Sequence, residues 1–392
     1  MISVEEAKEL VFNQIKPPES VNLDIAEALG CVVYSDIYSP YDQPSFTNSA
    51  MDGYAVVSTK MNERFRVVGE IKAGDSISYN LNPGEAVRVF TGAKIPEQAD
   101  SIVIQENVRV ENDYIYVIEP IKKGAFIRGV GSMMKQGDLA LKKGTVLNAA
   151  AIGFLASMGF CTVRVFKNPN ISIITTGDEI VKPGKPLNPG QIYESNSFAL
   201  AASLKAVNIK PIDILKADDN KAHLSMQIKE GLSNSDILIL TGGISVGKYD
   251  LVFETLKEFG VQSIFYKVAQ KPGKPFFAGK LGHKLIFALP GNPAAVLVCF
   301  YEYIFPVIRQ LQGFKAPYLN YQKLALLKPI RSNENRAQFI RAKIMPKGIM
   351  PLDGQDSFML HSFALADALI YVPKGTQIIE KNEEVEVHLL PI

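Results

Sequence analysis

The feature that most constrains the fold is a regular alternation of apolar strands and helices that begins after Pro169. Four short segments rich in Ile, Leu and Thr have the composition of buried strands, and a helical segment follows each of them. Strands and helices that alternate at this spacing predict a parallel, doubly wound sheet with right-handed crossovers. In chain order the strand segments are ISIITT (171–176), KPIDILK (210–216), DILILT (236–241) and KLIFAL (284–289).

The flanking regions have different patterns. Ser3 and Glu6 form a capping box ahead of an amphipathic helix. From about Phe65 to Leu147, short alternating segments separated by Gly, Pro and Asn predict an all-β unit. A helical segment (147–160) and a strand (163–166) follow, and short strands return after about Pro317. The predicted fold class is therefore a multidomain α/β protein with additional β units.

Composition excludes several classes of protein. The 392 residues are enough for about two to four domains. A net charge of +2 without a basic stripe argues against nucleic-acid binding. The N-terminus lacks the pattern of a signal peptide, and no uninterrupted apolar run reaches the roughly 18 residues of a membrane span. Cys31, Cys161 and Cys299 are widely separated, which favours buried free thiols in a reduced, cytoplasmic protein over disulfides or a zinc site.

Three loops follow predicted strands of the parallel sheet and should open at the same edge. Ligands of such sheets bind beyond the carboxyl ends of the strands. Glycines allow the backbone to approach a ligand closely, and free amides at helix N-termini favour anions. The loop residues that we expect to converge are Gly177, Asp178 and Glu179; Gly242, Gly243, Ser245 and Asp250; and Pro290, Gly291, Asn292 and Pro293.

The second of these loops resembles a phosphate-binding P-loop only in part. Gly242, Gly247 and Lys248 satisfy the G-x-x-x-x-G-K pattern. The pattern then requires Ser or Thr to ligate magnesium, and this chain has Tyr249. The next oxygen ligand is the carboxylate of Asp250. The loop therefore suits a phosphate and a cation, but it does not predict a P-loop NTPase.

Further acidic residues should lie at the same edge of the sheet. Asp218 and Asp219 follow the strand segment KPIDILK and join Asp178 and Asp250 there. Carboxylates beside an anion repel it unless a cation such as Mg²⁺ bridges them. The alternative is that Asp178, Asp218 and Asp219 are helix N-caps.

The segment KPGKP carries two lysines, Lys271 and Lys274, on a backbone restricted by prolines. This restriction limits where the ammonium groups point and suits an oxyanion site. The alternative is a solvated turn of common composition.

Together these segments resemble the MoeA family of molybdopterin molybdenumtransferases. TTGDE, TGGISVGKYD, KPGKP and LPGNP occur in the family's order, and PSFTNSAMDGYAV (44–56) and VFTGAKIPEQAD (89–100) are also similar to it. The resemblance covers essentially the whole chain. The doubly wound segment alone also resembles MogA and MoaB proteins, which adenylylate molybdopterin, but the additional terminal domains favour MoeA.

The resemblance implies an elongated homodimer of four-part subunits. The active cleft would form between the doubly wound domain of one subunit and the N-terminal region of the other. The implied domains are a mixed α/β domain (1–44 and 138–168), an inserted β domain (45–137), a doubly wound MogA/MoaB-like domain (169–316) and a C-terminal β domain (317–392).

The implied reaction inserts molybdenum from molybdate into adenylylated molybdopterin and releases AMP, with Mg²⁺ as cofactor. We expect Glu179, Asp218 and Asp250 to hold Mg²⁺ and to act in catalysis. Asp178 would help to organise the adenylate, and Lys271 and Lys274 would neutralise phosphate or molybdate oxygens.

The resemblance also assigns catalytic roles to Asp52, Thr91 and Arg128, contributed by the other subunit. The alternative for Asp52 is a turn residue ahead of Gly53. The chain departs from the family after Arg128, since Gly131, Ser132 and Met133 replace the usual acidic turn. The role of those carboxylates is then absent or taken over elsewhere, with Asp138 as a candidate.

In the C-terminal region, the family uses an arginine and a serine near molybdate. NRAQFIRAK offers Arg336 and Arg341, and Ser362 lies in the other matching segment. A guanidinium suits an oxyanion, although either arginine alone is equally consistent with a surface charge. A second departure follows LPGNP, where Ala294 and Ala295 offer no hydroxyl.

Two other functions stay open. One is molybdopterin adenylylation, and the other is a non-catalytic scaffold that binds the pterin or a peptide. The four histidines show no metal-ligand spacing. The expected partners are the two substrates, a second copy of the chain and, transiently, other proteins of molybdenum cofactor biosynthesis.

Overall fold

The computed structural model describes residues 1–58, 64–244, 251–332 and 335–391. These residues form two compact units. The first contains residues 1–34, 144–152 and 162–392, and the second contains residues 35–143 and 153–161. The helix Ala149–Ser157 contributes residues to both.

A six-stranded sheet dominates the first unit. Its four predicted strands are parallel to one another, as expected from the alternation of strands and helices. Two further strands, Gln262–Tyr266 and Phe277–Leu281, extend it in antiparallel fashion and were missed because their segments, QSIFY and FAGKL, lack a continuous apolar run. In spatial order the sheet contains β2 (Asp213–Ala217), β1 (Ile171–Thr176), β3 (Ile237–Thr241), β6 (Lys284–Leu289), β5 (Phe277–Leu281) and β4 (Gln262–Tyr266).

Helices cover both faces of this sheet. Ile173 and Ile239 belong to one hydrophobic cluster, whereas their neighbours Ile174 and Leu238 belong to another. Successive strand residues point to opposite faces, so both faces are buried, as a doubly wound sheet requires. The helices of this region are Asn196–Lys205, Lys221–Asn234, Leu251–Glu258 and Pro293–Leu311, the last with a π-helical middle at Phe300–Ile304.

The helix Pro293–Leu311 is long and apolar enough to cross a membrane by length and composition alone. However, 83% of its apolar window is buried inside the protein. It also carries Glu302, which is buried in an ion pair with Lys8. These contacts are those of a core helix.

The first unit also contains elements from both ends of the chain. Ser3 caps the helix Val4–Phe12 by accepting a hydrogen bond from the Glu6 amide, as predicted. Smaller elements are the paired strands Ser20–Asp24 and Thr162–Phe166, Ile180–Val181 and Ile192–Tyr193, and Ile330–Arg331 and Ile378–Ile379, with one turn of 3₁₀ helix at Ile25–Glu27.

A second six-stranded sheet occupies the C-terminal region, where short strands were predicted. The Gln270–Lys271 strand of the KPGKP segment joins it in parallel with Ala337–Met345. KPGKP is therefore attached to this sheet and is not an isolated turn. The remaining strands are Gly348–Pro351, Ala368–Val372, Glu384–Leu389 and Tyr321–Ala325, and the short helix His361–Ala364 precedes Ala368–Val372.

The second unit is built on a mixed sheet, as the alternating segments predicted. Its one parallel pair joins Arg64–Ile71 and Glu85–Val89. The alternating segment SIVIQENVRV (101–110) is split by a 3₁₀ turn at Gln105–Asn107, where three consecutive polar residues break the alternation. In spatial order the strands of this sheet are Ser101–Ile104, Gly53–Val56, Glu85–Val89, Arg64–Ile71, Tyr114–Val117 and Val108–Glu111. Two small antiparallel pairs lie outside it. They join Ile37–Tyr38 with Leu139–Leu141 and Asn48–Ser49 with Ile127–Arg128.

Candidate functional site

The loops after β1, β3 and β6 meet at one edge of the parallel sheet. The Gly242 amide donates a hydrogen bond to the Leu289 carbonyl at 3.3 Å. A Cβ atom added to Gly242 would lie 2.4 Å from the Thr176 carbonyl oxygen, and one on Gly291 would lie 3.9 Å from the Gly242 Cα. Three segments that are distant in sequence are therefore in backbone contact.

Two neighbouring glycines are required by the same crowding. Gly177 has φ +135° and Gly243 has φ +66°, values that L side chains rarely adopt. A Cβ at Gly177 would lie 2.6 Å from Glu179 Oε2, and one at Gly243 would lie 2.7 Å from Thr176 Oγ1. The loop after β3 can come this close to Thr176 only because Gly243 has no side chain, whereas a Cβ on Gly177 would meet the end of a side chain in its own loop.

Asn196 links two of the loops, and the sequence analysis missed it. Its Nδ2 donates to Thr241 Oγ1 and to the Gly291 carbonyl, both at 2.8 Å. Within the described part of the chain, Asn196 Oδ1 and Thr176 Oγ1 are buried without a hydrogen-bond partner. The signal that could have found Asn196 is its position, since it is a polar residue at the first turn of a helix beside the sheet's carboxyl edge.

Two of the predicted acidic residues are joined directly. Asp178 Oδ1 accepts a hydrogen bond from the Asp219 amide at 3.0 Å. Partial burial and the charges of Asp178, Glu179 and Asp218 together raise the pKa of Asp219. The acidic residues after β1 and β2 therefore share one negative field at the sheet edge.

None of these aspartates is a helix N-cap. Asn220 caps the helix Lys221–Asn234, accepting hydrogen bonds from the Ala222 and His223 amides. Ser195 occupies the N-cap position of the helix after Asp178. The alternative interpretation of Asp178, Asp218 and Asp219 as caps is therefore wrong.

His223 contacts one of the predicted ligands. Its Nδ1 lies 2.8 Å from Asp218 Oδ2, close enough for a hydrogen bond that orients the carboxylate. The histidine comes five residues after Asp218, at the start of the next helix, and its sequence spacing alone did not reveal this contact.

The predicted metal ligands are only partly described. Residues 245–250, which include Ser245 and Asp250, lie outside the described residues. In the remainder of the chain that is described, no group of three or more His, Cys, Asp or Glu side chains is placed to hold a metal ion. The Mg²⁺ site of Glu179, Asp218 and Asp250 stays a prediction.

The KPGKP segment is anchored by its central residues. Pro272 and Gly273 are buried, and Gln270 Nε2 donates to the Pro272 carbonyl at 3.0 Å. A Cβ on Gly273 would lie 2.7 Å from Cys299 Sγ. Lys271 is exposed and Lys274 is half-buried. The structure thus fixes the backbone between the two lysines, in contrast to a freely solvated turn.

The LPGNP loop is held by the C-terminal region. Pro290 is buried, and Asn292 Nδ2 donates to Ser357 Oγ at 2.7 Å. Pro293 is the first residue of the core helix. The side-chain nitrogen of Asn292 therefore ties the loop to the C-terminal region.

The structure brings Arg341 and Ser362 together. Arg341 is fully buried, and its Nε donates to Ser362 Oγ at 3.1 Å. Its Nη2 donates to the carbonyls of Gly354 and Asp356 at 2.8 and 3.1 Å, whereas Nη1 is buried without a partner in the described residues. Burial lowers the pKa of Arg341 to about 10. Arg336 is half-buried and, unlike Arg341, is partly accessible to a ligand.

In the second unit, Asp52 and Thr91 are in contact. Asp52 Oδ1 accepts hydrogen bonds from the Thr91 amide at 2.7 Å and from its hydroxyl at 2.8 Å. These two bonds lower the pKa of Asp52. Arg128 lies opposite Asn48 in a short antiparallel pair, and its side chain is exposed.

Known protein families cover nearly the whole chain. The MoeA N-terminal region (domain I and II) matches residues 2–159, a probable molybdopterin binding domain matches residues 172–310, and the MoeA C-terminal region (domain IV) matches residues 323–390.

Individual relatives give the same result. The chain is 34% identical to a molybdopterin molybdenumtransferase of Nostoc sp., covering 100% of this chain and 94% of the relative. It is 36% identical to the Haemophilus influenzae protein of the same name, covering 80% and 79%. Among solved structures, a MoeA protein from Pyrococcus horikosii matches with TM-score 0.82 and 30% identity, covering 99% of each chain. This chain belongs to the MoeA family.

Proposed function

We propose that this protein inserts molybdenum from molybdate into adenylylated molybdopterin and releases AMP. Support comes from the full-length similarity to molybdopterin molybdenumtransferases. The structural observation that carries the proposal is the convergence of the Gly177, Gly242 and Gly291 loops beside a set of carboxylates. A pyrophosphate requires closely approaching backbone, and a cation beside it requires carboxylates.

The acidic residues fit a magnesium ion by their donor chemistry. Mg²⁺ is held by one or two carboxylates together with phosphate oxygens more often than by a complete protein cage. Burial and then repulsion by the neighbouring carboxylates raise the pKa of Asp219, and a divalent cation would relieve that repulsion. We propose that Glu179, Asp218 and Asp250 hold Mg²⁺, which would neutralise phosphate charge, and that His223 positions Asp218.

The remaining residues of the first unit act on the anionic groups. Lys271 and Lys274, on their anchored backbone, neutralise phosphate or molybdate oxygens. Asp178 holds the Asp219 backbone in place and faces the adenylate. Arg336 binds molybdate, and Arg341 with Ser362 shapes the surrounding loop, since the Arg341 guanidinium is already bonded to that loop.

In the second unit, the lowered pKa of Asp52 keeps its carboxylate ionised. We propose that Asp52, Thr91 and Arg128 act on substrate bound by the partner subunit of a homodimer. We also propose a cytoplasmic location and transient contact with the enzymes that supply and collect the pterin.

The first experiment measures AMP release from adenylylated molybdopterin with Mg²⁺, in the presence and absence of molybdate. We expect release to require both. Asp250→Asn should abolish it with the fold intact, and the surface variant Asp113→Asn is the matched control. Full activity of Asp250→Asn would remove this residue from the site.

The same assay separates the two alternatives. An adenylyltransferase would form adenylylated molybdopterin from ATP and would not need molybdate. A scaffold would bind the pterin without releasing AMP. Neither alternative requires the MoeA-type regions that match on both sides of the doubly wound sheet.

A further inference from the structure

Gln270 is a buried amide directly before the KPGKP segment, and none of the roles above explains it. Its side chain is fully buried, and its contacts Cys299 and Tyr303 belong to one hydrophobic cluster of the first unit. A primary amide costs free energy in such surroundings unless its hydrogen bonds are made. A Met side chain would fill similar space without that cost. The amide at this position therefore indicates a requirement other than packing.

Both ends of the Gln270 amide are engaged. Nε2 donates to the Pro272 carbonyl at 3.0 Å and lies 3.7 Å from Cys299 Sγ. Oε1 accepts a hydrogen bond from the Tyr303 hydroxyl. Because a carbonyl can only accept, the amide nitrogen must face Pro272, which leaves the oxygen for Tyr303. Burial raises the pKa of Tyr303, so its hydroxyl keeps the proton that it donates.

These bonds hold the backbone between the two lysines of KPGKP from inside. The Val268 amide donates to the Lys274 carbonyl at 3.1 Å and closes the segment into a loop. The hydrogen bond from Gln270 to Pro272 lies within this loop. Gly273 has φ +92°, and a Cβ atom there would lie 2.7 Å from Gln270 Nε2. The loop backbone is therefore in direct contact with the buried amide.

Tyr303 connects this amide to the core helix Pro293–Leu311. It lies in the π-helical middle of that helix, Phe300–Ile304, and its ring centroid is 4.9 Å from that of Phe276. Short π-helical turns inside α-helices are frequent at functional sites. The same helix begins at the LPGNP loop. The Tyr303 hydroxyl therefore ties the KPGKP loop to the helix that carries a second loop of the site.

We propose that Gln270 is a positioning residue, supported by Tyr303, that holds Lys271 and Lys274 where both can bind one oxyanion. The inference rests on the proposed function, which gives the lysines their phosphate or molybdate. A lysine carries its charge on a flexible stem, so a fixed backbone lowers the ordering cost of binding. Gln270 is fully buried and acts on the anion only through the loop.

The test measures binding of molybdate and of inorganic pyrophosphate to the full chain by isothermal titration calorimetry. Lys271→Gln identifies which of the two anions the lysines hold. Gln270→Met removes the amide at similar side-chain size and should weaken binding of that anion about tenfold. Tyr303→Phe removes only the hydroxyl and should weaken it about threefold, which keeps the test available if Gln270→Met does not fold.

Gln312 provides the matched control. It is a second buried glutamine of the first unit, and its Nε2 donates to Asn168 Oδ1 at 2.9 Å and to the Val207 carbonyl at 2.8 Å. Gln312→Met therefore removes a buried, bonded amide away from KPGKP. We expect it to lower the urea midpoint and to bind the anion as the wild type does.

A double-mutant cycle separates positioning from a general loss of stability. If Gln270 acts through the lysines, the effect of Gln270→Met should fall to about threefold or less in a Lys271→Gln background. An undiminished effect there would overturn the inference. Wild-type anion affinity in folded Gln270→Met and Tyr303→Phe, or equal weakening by Gln312→Met, would overturn it as well.

AMP release from adenylylated molybdopterin, measured on the same proteins, separates this inference from the proposed function. Anion binding that depends on Gln270, in a protein that releases no AMP, supports the positioning role and rejects the transferase. AMP release with unchanged KM for molybdate and for adenylylated molybdopterin in Gln270→Met supports the transferase and rejects the positioning role. A wild type that binds neither anion would also overturn the positioning role.

Discussion

Thr91 donates two hydrogen bonds to a single oxygen of Asp52, one from its amide at 2.7 Å and one from its hydroxyl at 2.8 Å. The two residues are 39 positions apart in sequence, and the contact joins the DGYA and FTGA segments. Because both bonds favour the charged carboxylate, the pKa of Asp52 is lowered.

Thr91→Val removes the hydroxyl donor and keeps the amide. We expect the pKa of Asp52 to rise toward its ordinary value, which a carboxyl NMR titration measures. A lowered native pKa stabilises the fold above the unfolded-state pKa, and this stability is lost as the pH falls through the native value. Thr91→Val should therefore unfold at a higher pH during acidification. Thr91→Ser keeps the donor and should titrate as the wild type does; identical titrations for all three proteins would contradict the assignment.

The crowding at Gly242 can be tested against a glycine in open space. Gly242→Ala places a Cβ atom 2.4 Å from the Thr176 carbonyl at φ +89°, whereas Gly260→Ala, at φ +78°, meets nothing within 4 Å. We expect Gly260→Ala to cost about 1–2 kcal/mol from backbone strain alone. Gly242→Ala should cost clearly more and should abolish AMP release. Urea unfolding measures the difference, and equal losses would show that the loops do not need this close approach.

The two C-terminal arginines differ in burial, so we expect their substitutions to have different effects. Arg341→Met leaves the Asp356 carbonyl without its donor and the Gly354 carbonyl with only the Ser362 hydroxyl, which should lower the free energy of unfolding by about 1–3 kcal/mol. Arg336→Gln should change it by less than about 1 kcal/mol and should instead raise KM for molybdate. Urea unfolding and AMP release at varied molybdate concentration measure the two effects. A stable Arg336→Gln protein with an unchanged KM for molybdate would remove Arg336 from the site.

The strands with the strongest patterns were predictable. ISIITT, DILILT and KLIFAL are buried on both faces and therefore read as continuous apolar runs, and they are parallel neighbours in the structure. Of the two antiparallel strands, β4 lies at the sheet's edge, where composition is less constrained, and β5 lies between β4 and β6. Local pattern could not reveal that Gln270–Lys271 pairs with a strand some 66 residues later, because register between distant segments is set by tertiary packing.

The site residues likewise divide into those that the sequence pattern could predict and those that it could not. Gly177, Gly242 and Gly291 follow strand ends, so topology alone placed them together. Asn196 and His223 were missed because each acts through a contact made by a helix packing beside the loops.

A buried charged cluster in the first unit predicts a pH-dependent stability. Glu302, 2% exposed, lies 2.6 Å from Lys8 Nζ and 2.7 Å from His388 Nδ1, and Glu386 lies 2.8 Å from His388 Nε2. Burial opposes the charged imidazole, but the hydrogen bond to Glu302 and its charge, with help from Glu386, raise the pKa of His388. Lys8 acts in the opposite direction, and the ring of Tyr371 stacks on the imidazole.

A raised native pKa gives stability that is fully present below the unfolded-state pKa of about 6.5 and is lost as the pH rises through the native value. We therefore expect the free energy of unfolding, measured by urea titration at each pH, to fall as the pH rises above about 6.5. His388→Gln keeps a donor for Glu302 without the charge, so it should cost about 2 kcal/mol at pH 6 and flatten this dependence. The exposed His283→Gln is the matched control and should follow the wild type. An unchanged pH dependence in His388→Gln would show that His388 is neutral in the folded protein and that Lys8 alone balances the charge of Glu302.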